Sequence, residues 1–161
     1  MILRPEQPAD HRAIAAVVEA AFPSPAEARL VEQLRAAGDA AIALVAVEGE
    51  AVIGHVMLSL MTAPFRALGL APVSVRPDRQ GQGVGGRLVR RALDLARDKA
   101  WDRVFVLGDP AYYRRFGFDA ALAAGYGSPY AGPHLMGLDL SGRGVTGEGE
   151  IAYAPAFAAL D

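Results

Sequence analysis

The stretch Val75-Arg76-Pro77-Asp78-Arg79-Gln80-Gly81-Gln82-Gly83-Val84-Gly85-Gly86-Arg87-Leu88 constrains the fold more than any other part of this 161-residue chain. It leaves an apolar run, turns through glycines and enters a long amphipathic pattern, so it joins a strand to a helix. Glycine lets backbone approach a ligand with no Cβ in between, and the first N–H groups of a helix lack internal partners and point at whatever anion sits there. Arg76, Arg79, Arg87, Arg90 and Arg91 crowd the end of the helix where the macrodipole disfavours cations. A bound polyanion resolves that conflict; an ordinary glycine-rich turn with arginines pointing into solvent is the alternative.

Three glycine motifs compete for this loop. A P-loop fails because no Lys-Ser or Lys-Thr follows the glycines. Gly81, Gly83 and Gly86 satisfy G-x-G-x-x-G, and Asp109 follows about one βα unit later, as a dinucleotide fold requires. In that fold, however, the first glycine comes straight off an early strand, whereas here Arg76-Pro77-Asp78-Arg79-Gln80 intervenes. The third motif uses the whole string: Val75-x-Pro77-x-x-Gln80-Gly81-x-Gly83-Val84-Gly85.

Length predicts a single domain over 1–161, and 52% hydrophobic residues predict a globular one. The formal net charge of −2 gives no general attraction to nucleic acid, so the arginine cluster is a local feature. Without cysteine there is no disulfide frame, thiolate metal site or cysteine nucleophile, and the separated His11, His55 and His134 give a metal site little support. The N-terminus lacks the charged start, apolar run and small-residue cleavage site of a signal peptide. No apolar segment approaches the length of a membrane span without a charge or a glycine break. These features predict a cytoplasmic protein with no membrane partner.

Along the chain, 2–4 reads as a short strand. Pro8-Ala9-Asp10 then precedes Ile14, Val17, Val18 and Ala21 at helical spacing. Ser24-Pro25-Ala26-Glu27 has the serine, proline and early acid of a second helix start, with Leu30, Val31 and Leu34 on one face and Gly38 as a stop. Segments 42–47 and 51–60 read as a hairpin through Glu48-Gly49-Glu50, and 70–75 as the strand feeding the glycine loop. The helix over 85–99 buries Leu88, Val89, Ala92, Leu95 and Ala96, and 103–107 returns as a parallel strand by a right-handed crossover. A short helix near 110–115, a strand entry over 116–120 and an alternating strand over 134–140 follow. The whole is a mixed α/β sheet, mostly antiparallel with one parallel βαβ unit, and helices on both faces. Segment 125–133 is long for a loop, so it is either a lid over an acceptor, with Tyr126 and Tyr130 stacking on substrate, or a surface loop that those rings pin down.

The long glycine string resembles the acetyl-CoA pyrophosphate loop of the GNAT superfamily of N-acetyltransferases. The order of elements is similar over nearly the whole chain, and Tyr112-Tyr113-Arg114-Arg115-Phe116-Gly117-Phe118 resembles the tyrosine, four residues before Gly-Phe, that follows the fifth strand. Leu107-Gly108-Asp109-Pro110-Ala111-Tyr112-Tyr113, Glu27-x-x-Leu30-Val31 and Tyr153-x-Pro155-Ala156-Phe157 look more narrowly like a bacterial branch of acetyltransferases, mostly of unassigned substrate.

That resemblance implies acetyl-CoA as co-substrate and direct attack by a primary amine, small-molecule or peptide, in a ternary complex with no metal. It implies that backbone N–H groups of Gln80, Gly81, Gln82, Gly83, Val84 and Gly85 hold the pyrophosphate, with Arg79 and Arg87 adding charge. Backbone around Val73 and Val75 would pair with the pantetheine like an added strand. Tyr113 would be the general acid toward the leaving thiolate, its phenol being protonated at neutral pH; the alternative is an aromatic cluster closing the core. Two residues compete as base. His55 lies on the Ile53, His55, Met57, Ser59 face, read as the less apolar side of its strand. Glu27 lies beside the break between the first two helices, as base or acceptor contact, with helix-start charge as its alternative role. A non-catalytic acyl-CoA binder or sensor would keep the loop but lack a working acid, and the edge strands and apolar stretch 151–160 permit a homodimer.

Overall fold

The structure, a computed structural model, describes residues 1–142 and 149–160. Six strands form one sheet in the order β1-β2-β3-β4-β5-β7: β1 (Ile2–Pro5), β2 (Ala40–Glu48), β3 (Ala51–Leu60), β4 (Ala67–Val75), β5 (Arg103–Leu107) and β7 (Leu135–Asp139). Every neighbouring pair is antiparallel except β4 and β5. A crossover between parallel strands needs a helix, and α3 (Val84–Asp98) supplies it. A second, two-stranded pairing joins β6 (Tyr126–Gly127) to β8 (Gly149–Glu150).

Both faces of the sheet are covered. On one, α3 buries Val84, Leu88, Val89, Ala92, Leu93 and Ala96 against Leu44, Val56, Leu68 and Val104. The 3.6-residue spacing of those side chains is the pattern read from the sequence. Gly54 on β3 makes the close approach of α3 feasible: a Cβ there would stand 2.9 Å from Leu88 Cδ1 and 3.1 Å from Val84 Cγ1. On the other face, α1 (His11–Ala21) and α2 (Ala26–Ala36) pack Ile14, Val18, Leu30, Val31 and Leu34 on Val45 and Met57, joined by Phe157 of a C-terminal 3-10 segment, Pro155–Leu160.

Two expectations need correction. Residues 116–120 do not enter a strand. A 3-10 turn over Arg114–Phe116 ends at Gly117 in the left-handed region, φ 98°, and only Asp119 reaches the sheet, in an isolated bridge to Gly137. The face of β3 carrying His55 and Met57, read as its less apolar side, is packed under helices as well. Helices on both faces leave this central strand buried from Ile53 to Ser59, and His55 itself is fully buried under α1 and α2.

Candidate active site

The glycine loop is held open by its own backbone. Gly81 and Gly83 sit at φ 77° and 83°, a region closed to most L-residues, and Gly83 is the residue on which α3 starts. Gln80 donates from Nε2 to the Val75 carbonyl across 2.9 Å, tying the loop to the end of β4. The Arg87 N–H is the first to close the helix, on Gly83 O at 3.1 Å, and no N–H from residue 81 to 86 donates to a backbone carbonyl. These donors converge on a cavity of about 320 Å³ that also takes in the side chains of Arg79, Gln80, Val84, Tyr112 and Arg115. A row of unpartnered N–H groups at the positive end of a helix dipole is an anion cradle.

The expected cations divide. Arg79 lines the cavity but is already paired, to Glu48 at 2.7 Å and Asp78 at 3.3 Å. Arg87 is exposed on α3, and Arg90 stacks 4.9 Å over the Phe116 ring. Arg115, which sequence reasoning passed over as a ligand for the anion, faces the cavity. Its guanidinium lies 4.4 Å from the Tyr112 ring centroid and its Nε donates to the Tyr112 carbonyl at 2.8 Å. The signal was present: Arg115 follows Tyr112 by three residues, the spacing that stacks side chains on one helical face.

Beyond the loop, β4 and β5 part. Their pairing covers Ala67 with Arg103, Leu68 with Val104 and Gly69 with Phe105, and then stops. Past that point β5 stays on β7, through Val106 with Met136 and Leu107 with Leu135, while β4 stays on β3. A bulge in β4 opposite Met57 marks the divergence. Residues 70–75 of β4 therefore present a free edge to a V-shaped opening, the geometry by which an extended amide chain adds as a strand. Val73 and Val75 turn their side chains toward α3, with methyls 4.0 and 3.5 Å from where a Gly85 Cβ would stand.

The tyrosine pair after β5 is split between two environments. Tyr112, in the short helix α4 (Pro110–Tyr113), sends its hydroxyl to within 3.5 Å of the Gly85 Cβ position, at the anion cradle. Tyr113 turns the other way and lays its ring on Gly108, where a Cβ would meet Tyr113 Cδ2 at 3.0 Å, and against Phe118 at 5.9 Å between ring centroids. Burial, with the neighbouring Tyr112 adding to it, pushes the Tyr113 phenol up to about 12. It stays protonated and can donate. Tyr113 is thus part of the aromatic cluster with Tyr112, Phe116 and Phe118, while the Tyr112 hydroxyl is the one at the anion cradle.

His55 is fully buried, with Nε2 2.8 Å from Glu6 Oε1. The same carboxyl takes Arg35 Nε at 2.6 Å and has His11 Nε2 at 3.2 Å. Burial works against the Glu6 charge, but the hydrogen bonds from His55 and Arg35 outweigh it and hold its pKa at about 2. Burial pushes the His55 pKa below the ordinary imidazole value, against the pull of Glu6. A neutral His55 thus carries its proton on Nε2, since the ionised carboxylate can only accept. Nδ1 is left buried without a partner, as is the hydroxyl of Ser74, its cross-strand neighbour. Glu27 occupies the first turn of α2, half-buried, with Oε2 enclosed and unpartnered. Neither His55 nor Glu27 lines the anion cavity.

On the opposite face from α3, a second cavity of about 140 Å³ opens between Leu70 and Ala71 of β4, Leu107 of β5, and Tyr130, Tyr153, Phe157 and Leu160. Tyr130 meets Tyr153 edge-on at 5.9 Å. Tyr126 is elsewhere: nearly buried, it packs on Phe65 and Phe105, which removes it from any substrate lid. Its ring filled the core because Phe65 and Phe105 converge beneath the loop, a contact no local spacing announces.

The model of the acetyltransferase (GNAT) family matches residues 11–118. The N-acetyltransferase YhbS of Escherichia coli K12 is 39% identical over 125 residues, 75% of each chain. Its crystal structure in complex with CoA superposes with a TM-score of 0.89 at 33% identity, covering 98% of this chain and 91% of that one. A GNAT acetyltransferase from Brucella melitensis in complex with acetyl-CoA gives 0.82 at 36% identity, with 97% of both chains covered. The chain belongs to the GNAT acetyltransferase family. Its fold is the GNAT fold. Among the described residues no helix is long and apolar enough to cross a membrane.

Proposed function

We propose that this protein transfers the acetyl group of acetyl-CoA to a primary amine by direct attack in a ternary complex. The observation that carries this reading is the continuity from the unpartnered N–H groups of 81–86 along the free edge of β4 to the point where β4 and β5 part. The CoA and acetyl-CoA complexes of the two similar structures support the same assignment.

In this reading the pyrophosphate sits on the 81–86 N–H groups with Arg115 and Arg79 beside it, and the pantetheine amides pair with β4 near Val73 and Val75. The thioester then lies where β4 and β5 part. A neutral amine attacks the carbonyl carbon, a tetrahedral oxyanion forms, and the C–S bond breaks. The amine loses one proton and the CoA sulfur gains one. A phenol at about 12 holds its proton more tightly than a thiol of ordinary pKa about 8.5 demands, so Tyr113 stabilises the departing thiolate by hydrogen bonding instead of surrendering its proton outright. Glu27, which lines neither cavity, is read as a helix-start charge at the first turn of α2 and takes no step in the transfer. His55, without solvent access and already committed to Glu6, acts as a positioning residue that fixes β3 against α1 and α2.

The test is an acetyl-CoA assay that follows free thiol release with a panel of primary amines. Amine-dependent thiol release, with the acetylated amine seen by mass, is the expected result. CoA binding without transfer to any amine would reduce the protein to an acyl-CoA binder.

A further inference from the structure

The cavity between β4, β5 and the C-terminal 3-10 segment has a composition that the transfer reaction alone does not require. Its described lining contains no charged side chain: Leu70, Ala71, Leu107, Phe157 and Leu160 form the walls, with Tyr130 and Tyr153 the only polar residues. Leu107 and Leu160, 45% and 39% exposed, are two of five large hydrophobic side chains left open to solvent, and both stand on this cavity. Apolar residues kept exposed around a concave site mark a ligand surface.

Its position relative to the anion cradle bears on what it holds. The anion cradle lies on the α3 face, where Val73, Val75 and Gly85 meet. The apolar cavity lies on the other face, where Ala71, Tyr153 and Phe157 pack with the cluster under α1 and α2. Both lie along the stretch where β4 has parted from β5, with Val75 at the cradle and Leu70, Ala71 and Leu107 at the cavity, so CoA and acceptor would enter from opposite faces. Tyr153 also keeps its hydroxyl buried without a protein partner. Burial, and then the nearness of Tyr130 and Tyr113, push that phenol above its ordinary value, so it is a neutral hydrogen-bonding group.

We propose that the acceptor is an amine carrying an uncharged alkyl or aryl group, which this cavity receives, and that polycationic acceptors such as polyamines are disfavoured. The proposal rests on the acetyl-CoA reading above and narrows its substrate class. A second ammonium group in this cavity would be desolvated against leucine and phenylalanine with no carboxylate among the described lining residues to offset the loss. An alkyl group in the same place gains from burial.

The experiment measures kcat/KM at saturating acetyl-CoA for ethylamine, butylamine, hexylamine and 2-phenylethylamine beside agmatine and spermidine. The expected result is a rise of about fourfold per added methylene until the cavity is filled, with the two polycations slowest. Leu160→Asp, at an exposed position, should flatten the series, and Leu160→Ala should weaken it only in part; the melting shift with acetyl-CoA controls for folding in both. Faster turnover of agmatine or spermidine than of the alkylamines would overturn the proposal. So would chain-length gain on going from acetyl- to butyryl- and hexanoyl-CoA with a flat amine series, because the cavity would then hold the acyl chain. Either outcome with an intact acetyl-CoA melting shift leaves the transfer reading standing, whereas loss of any CoA response would remove that reading instead.

Discussion

His55 Nε2 lies 2.8 Å from Glu6 Oε1, so a fully buried imidazole on the third strand is locked to a carboxylate at the end of the first. Arg35 of α2 and His11 of α1 reach the same carboxyl. One side chain thus ties two helices to the sheet. Removing it leaves Arg35 and His55 facing an uncharged gap, so Glu6→Gln is expected to cost about 3–5 kcal/mol, the usual consequence of stripping one partner from a buried pair. Urea denaturation checks this.

Acid stability follows from the same cluster. The folded pKa of His55 is lowered from 6.5, so its contribution is present above that value and lost as pH falls and the buried ring must charge. Glu6 and Asp10, both lowered to about 2 from 4.5 and 3.8, contribute above those ordinary values and lose that contribution as pH falls toward 2. All three act in one direction. The melting temperature is therefore expected to decline below about pH 6.5 and more steeply below 4.5, and a flat profile from 7 to 4 would contradict the geometry.

Gly83→Ala places a Cβ on a residue at φ 83° with nothing within 4 Å, so the cost is conformational and not steric. About 1–2 kcal/mol is expected in stability or in a shifted loop. Because the loop orients the N–H groups, affinity for CoA should fall by about tenfold, the equivalent of about 1.4 kcal/mol. Calorimetric titration with CoA reads this directly.

Tyr113→Phe keeps the ring on Gly108 and Phe118 and removes only the hydroxyl. Turnover is expected to fall by about tenfold to a hundredfold, the loss of one hydrogen bond to a charged group, with CoA affinity unchanged. Equal kcat in the variant would take Tyr113 out of the reaction.

The sequence was informative wherever the determinant was local. Gly81, Gly83 and the apolar period of α3 announced a strand-to-helix turn with open donors, and the hairpin through Gly49 announced the antiparallel half of the sheet. Contacts between distant segments were not legible. Glu6 is 49 residues from His55, and nothing in the alternation of β3 shows that helices cover both its faces. The apolar cavity draws on β4, β5, Tyr130 and the C-terminal segment, each unremarkable alone. The pairing of Arg79 with Glu48 likewise joins the loop to a hairpin 31 residues away, which is why the loop's charge looked larger in the sequence than it is.

The central claim is that the N–H groups of 81–86 and the free edge of β4 bind CoA. A thermal melt with acetyl-CoA, CoA and NADPH in parallel tests it most directly, because a ligand at about 100 times its dissociation constant adds about 2.7 kcal/mol to stability. A raised melting temperature with acetyl-CoA and CoA but not with NADPH is the predicted result; no response to either CoA species, or a response to NADPH alone, would contradict the account.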